Sequence, residues 1–98
     1  MSVKVRDKLM EYQYPMDVDW ATEEKIAVIS FFQAIEKAYE KGIAKQELLD
    51  AYKRFKEVVP SKAEEKTHCA AFEKGSGYSP YRTVKNAREA EEKAIIRM

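Results

Sequence analysis

Few residues of this 98-residue chain have the types and spacing that catalysis or metal binding requires. The single histidine, His68, directly precedes the single cysteine, Cys69. Neighbouring side chains on a helix point about 100° apart, so the pair cannot act as a thiol and its base, and it cannot share a metal as helical i, i+4 residues do. No second cysteine or histidine exists to complete a zinc shell. We therefore predict that Cys69 is a small core residue.

Two further sequence patterns lack the features of a calcium-binding or phosphate-binding loop. Asp17 and Asp19 flank Val18, but the regular oxygen spacing and closing glutamate of a calcium loop are absent. The glycines of "GSG" at 75–77 follow no strand pattern and precede no P-loop lysine. Because no nucleophile, base and orienting group form a set, we predict that the protein is not an enzyme and holds no metal and no cofactor.

The cations of "SGYSPYRTVKNARE" at 76–89 are the remaining candidate for function. They gather near the start of a predicted helix, where the positive end of the helix dipole disfavours them. Tyrosine and arginine are enriched in interface hot spots. We therefore predict a protein-interaction or adaptor module with an unidentified protein partner. Its candidate partner-binding residues are Tyr78, Tyr81, Arg82, Lys85 and Arg88.

A structural explanation of the same cations stays open. Arg82 or Arg88 can pair with the acidic residues of the N-terminal segment and pin that segment across the helices. The acidic residues concerned are Glu11, Asp17 and Asp19.

The alternative function is weak nucleic-acid binding by a helix-turn-helix-like segment, residues 67–88. Arginine and asparagine are the residue types that read guanine and adenine, and Asn86 lies among the cations. However, Glu89, Glu91 and Glu92 follow at once, and the patch offers about three phosphate contacts where strong binders make about 6–10. Nucleic acid is therefore the less favoured partner.

Composition sets the broad class. The hydrophobic content of 45% is that of a globular domain. The 18 basic residues nearly balance the 17 acidic ones, for a net charge of +1, which argues against a general nucleic-acid or membrane coat. A single cysteine forms no intrachain disulfide and suits a reducing compartment. We expect a soluble, cytoplasmic protein without a membrane segment, present as a monomer or weak homodimer.

The periodicity predicts four helices and no strands. Thr22 is the expected N-cap of the first helix, whose apolar stripe recurs at three- and four-residue steps before Gly42 ends it. The second helix is expected over residues 45–59, with Ala44 at its N-cap position and Pro60 ending it. The apolar faces comprise Val28, Phe31, Phe32, Ile35, Ala38 and Tyr39 in the first helix, and Leu48, Leu49, Tyr52, Phe55 and Val59 in the second.

The third and fourth helices have clearer start signals. Ser61, with Glu64 three residues later, forms a capping box, and Ser79 precedes Pro80 at a first helical position. We expect Gly75 to end the third helix, whose small residues would let a neighbour approach closely, and the tail after Ala87 to fray or project. The small residues are Ala63, Thr67, Ala70 and Ala71, and the residues of the fourth helix expected to face the core are Tyr81, Val84, Ala87 and Ala94 or Ile95.

Before the first helix lies an aromatic segment without helical periodicity. It carries Tyr12, Tyr14, Pro15 and Trp20, and we expect an extended strap whose rings lie over the helices. The predicted fold class is thus all-α, a compact four-helix bundle or array with an extended aromatic N-terminal strap.

Four segments carry a resemblance to a known family. "MEYQYPMDVDWATEE", "AYEKG", "AYKRFKEVVPSKAEEK" and "GYSPYRTVKNARE" resemble the YktA-like uncharacterised protein family of Gram-positive bacteria, in the same order and spacing. The resemblance covers Met10 to about Ala90 and implies a small helical cytoplasmic protein. Because that family has no assigned activity, it supplies no functional residues.

The first nine residues, "MSVKVRDKL", have no counterpart in the resemblance. Arg6 and Asp7 can be encoded by purine-rich codons shortly before Met10, as in a ribosome-binding sequence. We therefore predict that residues 1–9 are a non-native or disordered extension and that residues 10–98 form a single helical domain. Intact-mass analysis of the native protein tests this.

Overall fold

The computed structural model describes residues 19–98. The expected extension, residues 1–9, and the strap residues Tyr12, Tyr14 and Pro15 lie outside the described part. Within it, the elements are α1 (Thr22–Glu40), β1 (Ile43–Ala44), α2 (Lys45–Val58), α3 (Lys62–Ser76), α4 (Pro80–Glu89) and β2 (Ile95–Ile96). The four predicted helices are confirmed, but the expectation of no strands is wrong, because β1 and β2 pair in an antiparallel ladder.

The N-cap of the first helix lies one residue earlier than expected. Ala21 is the N-cap, and its backbone N–H donates to the Glu24 carboxylate over 2.8 Å, whereas Thr22 is the first helical residue. The expected apolar stripe is buried from Val28 to Ala38. The helix ends before Gly42, whose φ of 108° disfavours residues that carry a Cβ.

Stacked aromatic rings form the centre of the core. Phe31 of α1 stacks on Phe55 of α2 with ring centroids 4.6 Å apart. Phe32, the next residue, stacks on Phe72 of α3 at 4.5 Å. All of these rings are fully buried, and such pairs add to the stability that burial alone provides. The core therefore lies against α1 and takes a ring from each of α2 and α3.

The C-terminal tail is ordered against the core, so the expectation that it frays or projects is wrong. Ile96 pairs with Ile43 in an antiparallel ladder, and both side chains are buried. Met98 also donates its backbone N–H to the Ala38 carbonyl over 3.0 Å. Burial of Ile96 and these backbone bonds hold the tail, and a two-residue strand is too short to show a period in sequence.

The starts of α3 and α4 are as expected. Ser61 Oγ accepts a hydrogen bond from the Glu64 backbone N–H, and Ser79 Oγ accepts one from the Arg82 backbone N–H. The end of α3 is different, since Gly77 with a φ of 81°, not Gly75, is the C-terminal cap. Left-handed backbone is the conformation glycine adopts at this position.

Candidate functional site

The fourth helix presents its apolar side to the core and its charged side outward. Thr83, Val84 and Ala87 are buried. Tyr81, expected on the core face, is 73% exposed, so that expectation is wrong. Tyr81 lies one helical turn before the exposed Lys85, and the two side chains therefore share one face of α4.

The ten-residue length of α4 changes the explanation of its cations. Because α4 ends at Glu89, Arg88 belongs to its last turn. Cations in a last turn are favoured by the negative end of the helix dipole. Arg82 remains in the first turn, where its backbone N–H is satisfied by Ser79. The apparent conflict with the dipole is therefore confined to Arg82.

The third helix packs less closely than its small residues predict. Among its residues, all of which the structure describes, Phe72 is the buried one. Ala63, Ala70 and Ala71 are exposed, so the expected close approach of a neighbour along this stripe is wrong. Of these small residues, Ala63 lines a groove beside α3.

A groove of about 700 Å³ lies between α3 and α4. This volume is in the range of ligand-binding clefts. Its lining combines apolar and aromatic surface with charged groups. The former comes from Phe31, Tyr52, Ala63, Cys69, Pro80, Tyr81 and Val84, and the latter are Lys62, Glu65, Lys66, Lys85, Arg88 and Glu89.

Glu65 joins α3 to α2 at the groove. The Tyr52 hydroxyl donates to Glu65 Oε2 over 2.7 Å, and Lys56 Nζ donates to Oε1 over 2.6 Å. Burial, together with the hydrogen bond to Glu65, raises the pKa of Tyr52 to about 12. The phenol is therefore neutral at physiological pH, and both oxygens of Glu65 have partners within the chain.

Arg88 of α4 contacts the ring of Tyr52. Its guanidinium carbon is 5.3 Å from the centre of the Tyr52 ring, which is within the range of a cation–π contact. Tyr52 thus contacts α3 through its hydroxyl and α4 through its ring.

Cys69 contributes apolar surface to the groove and is half-buried. Burial, with a smaller contribution from the Glu65 charge, raises the pKa of its thiol to about 12. Since the thiolate is the nucleophilic form, this cysteine is suited to packing. His68 is turned elsewhere, with its ring 5.1 Å from that of Trp20.

The predicted partner-binding residues divide into two groups. Tyr81, Lys85 and Arg88 line the groove, whereas Arg82 and Tyr78 do not. Tyr78 stacks on Tyr39 with ring centroids 4.4 Å apart and donates its hydroxyl to Glu40 over 2.8 Å. Glu11 and Asp17, two of the acidic residues that could pair with Arg82 or Arg88, lie outside the described residues.

Sequence reasoning missed the α3 side of the groove. Lys62 and Lys66 are spaced i, i+4 and therefore share a face of their helix. That spacing is a signal present in the sequence. It did not indicate that this face would oppose the cations of α4.

Comparison with known proteins shows the family. A family model described as an uncharacterised protein family (UPF0223) matches residues 11–96. The chain belongs to family UPF0223. A UPF0223 protein of Bacillus pumilus is 90% identical over 89 residues, which are 91% of this chain and 100% of that protein. YktA of Bacillus subtilis, also a UPF0223 protein, is 64% identical over 88% of this chain and 98% of its own length.

The resemblance to the YktA-like uncharacterised family is therefore confirmed. A further relative from Bacillus mycoides is 54% identical over 91% of this chain and its own full length. Among residues 19–98 of this UPF0223 chain, none of the helices combines the length and apolar character needed to cross a membrane.

Proposed function

We propose that this protein is a non-catalytic interaction module that binds a segment of a protein partner in the groove between α3 and α4. The partner segment carries acidic residues beside a large apolar or aromatic side chain. The observation that supports this most strongly is the combination of an apolar surface with cations from both helices in one groove of about 700 Å³.

The charges of the groove favour an acidic segment. Its described lining includes four cations, Lys62, Lys66, Lys85 and Arg88, and two carboxylates. One of these carboxylates, Glu65, already accepts hydrogen bonds from Tyr52 and Lys56. Complementary charge speeds association and selects partners more than it adds affinity, so the cations supply specificity for acidic residues.

The apolar surface supplies the anchoring contacts. The exposed Ala63 and the half-buried Cys69 line the groove with apolar surface. Tyr81 is 73% exposed at the same groove, and an exposed tyrosine is a residue type typical of interface hot spots. An apolar side chain placed here would leave water and contact both helices.

The nucleic-acid alternative has less support. One of the residues proposed to read bases has a partner within the chain, because the Asn86 side-chain amide donates to the sulfur of Met98 over 3.2 Å. Glu89 adds a negative charge at the groove. We therefore retain the acidic protein segment as the partner, and propose that the module acts in the cytoplasm as a monomer or weak homodimer.

Selection from a random peptide library displayed on phage tests this proposal with the purified full chain. Recovered peptides are expected to combine acidic residues with aromatic or large aliphatic ones. Their binding should weaken steeply with salt and shift the amide signals of Lys66, Val84 and Lys85. Peptides without this composition, or peptides that shift signals on another face, would contradict the proposal.

A further inference from the structure

Arg88 is exposed like the other groove cations, but its guanidinium contacts an aromatic ring of the protein. Lys62, Lys66 and Lys85 are exposed lysines at the groove, and a lysine ammonium is a compact charge on a flexible stem. The Arg88 guanidinium instead lies 5.3 Å from the centre of the Tyr52 ring. A planar guanidinium resting on a ring presents its N–H donors in a defined direction, which suits a carboxylate.

The Tyr52 ring under Arg88 is itself held by other contacts of its hydroxyl and its ring. The Tyr52 hydroxyl donates to Glu65, and Lys56 donates to the second oxygen of the same carboxylate. The Lys56 and Glu65 side chains are only 26% and 21% exposed, so solvent competes less with their contact than at an open surface. The ring also packs against Phe31, with centroids 5.4 Å apart. Tyr52 therefore has few orientations open to it.

We propose that Arg88 is the specificity-determining residue of the groove: it takes a carboxylate of the bound segment, while the exposed surface of Tyr81 and Ala63 takes the apolar side chain beside that carboxylate. Tyr52 and Glu65 are positioning residues, which act through Arg88. This inference rests on the proposed function, because it concerns the partner segment that the groove binds. It adds that recognition requires one carboxylate at a defined place, not merely negative charge.

A pair of small probes isolates this carboxylate. N-acetyltryptophan joins an aromatic ring to a carboxylate, and N-acetyltryptophanamide has the same ring without the charge. Titration of each into the ¹⁵N-labelled full chain gives two dissociation constants from the shifts of the Lys66, Val84 and Lys85 amides. Their ratio measures carboxylate recognition separately from apolar binding.

We expect the acid to bind about fivefold more tightly than the amide, as for a charge-assisted contact at a partly exposed site. In Arg88→Gln the ratio should fall to below about twofold, because the three remaining lysines attract the carboxylate only through exposed, screened charge. Arg82→Gln is the matched control, because Arg82 lies on the same helix and does not line the groove; it should keep the wild-type ratio.

The positioning role has its own readout. Tyr52→Leu removes the ring beneath Arg88 and is expected to lower the ratio, whereas Tyr52→Phe keeps the ring and should lower it less. A merely structural role of Tyr52 would change the affinities of both probes alike and leave their ratio intact. Dispersed amide spectra of each variant establish that it is folded.

The outcomes separate the two proposals. A ratio of the two dissociation constants near one in the wild type overturns the role of Arg88, and so does a fivefold ratio that survives in Arg88→Gln. In either case the proposed function stands if the selected peptides still bind the groove. Absence of any shift at the groove with both probes overturns the Arg88 proposal. The proposed function fails with it if the selected peptides also leave these amides unchanged.

Discussion

The Arg88 guanidinium lies over the face of the Tyr52 ring, 5.3 Å from its centre, and joins α4 to α2 beside the groove. The Tyr52 hydroxyl reaches the other way, to Glu65 on α3. One tyrosine therefore contacts both walls of the groove. Because the walls are positioned by the same residue, changes at Tyr52 should affect stability and groove chemistry together.

The ionisation of the Tyr52 phenol should make the free energy of unfolding depend on pH. Its pKa is about 12 in the folded protein against a usual value of 10.0, mainly because of burial. Folding therefore favours the neutral phenol, so this stabilisation is complete below pH 10 and is lost as the pH rises towards 12. Urea unfolding across that window should show a steeper loss of unfolding free energy in the wild type than in Tyr52→Phe.

Cys69 must be removed from that comparison, because its thiol titrates towards the same pKa. Both proteins are therefore measured in a Cys69→Ala background. Parallel losses of stability in the two proteins between pH 10 and 12 would show that Tyr52 is not the group responsible.

The reactivity of Cys69 follows from its raised pKa. With a pKa of about 12 instead of 9.0, the thiolate fraction at neutral pH falls by about a thousandfold, and alkylation by iodoacetamide should slow in proportion. Intact mass spectrometry against time measures the rate, and the protein unfolded in urea is the control. A folded protein that reacts as fast as the unfolded one would contradict the burial of this thiol.

The C-terminal strand should contribute to stability through Ile96. This side chain is 4% exposed, whereas its neighbour Ile95 is 54% exposed. We expect Ile96→Ala to lower the unfolding free energy by about 2 kcal/mol, the lower end of the range for buried isoleucines. Ile95→Ala is the matched control and should change it by less than about 0.5 kcal/mol.

Chemical denaturation of both variants tests this pair. Equal effects of Ile95→Ala and Ile96→Ala would mean that the tail is not anchored through its buried isoleucine.

The start of α2 offers a stabilising substitution. Ala44 occupies the N-cap with extended backbone and no side-chain hydrogen bond. Ala44→Ser supplies an oxygen that can accept from the N–H of Gln46 or Glu47 in the first turn, and it should add about 0.5–1 kcal/mol, or roughly 2–6 °C in melting temperature. Ala44→Val, which adds no acceptor, is the control. A serine variant that melts no higher than the wild type would refute this role of the position.

The sequence predicted the helices because each has local start or stop signals. Ser61 and Ser79 cap α3 and α4 as their spacing indicated, and the α1 stripe from Val28 to Ala38 is buried. The errors were of longer range. The burial of Ile96 depends on Ile43, which is 53 positions earlier in the chain, and no local period reports such a partner.

The candidate site was only half predictable for the same reason. Tyr81, Lys85 and Arg88 were identified from one segment, and they do line the groove. Their relation to Lys66 of α3 and Tyr52 of α2 depends on how the helices pack. The apparent clustering at the helix start also depended on the length of α4, since ending at Glu89 places Arg88 in the last turn.

The central claim is that the groove between α3 and α4 is the binding site, and charge reversal on one helix tests it most directly. The acidic aromatic peptide recovered from the phage selection is titrated by calorimetry into the wild type, the Lys85→Glu/Arg88→Glu variant and the Arg82→Glu variant. We predict that the groove variant binds at least about tenfold more weakly, whereas Arg82→Glu stays close to the wild type. Equal losses in both variants, or no loss in the groove variant, would contradict the account.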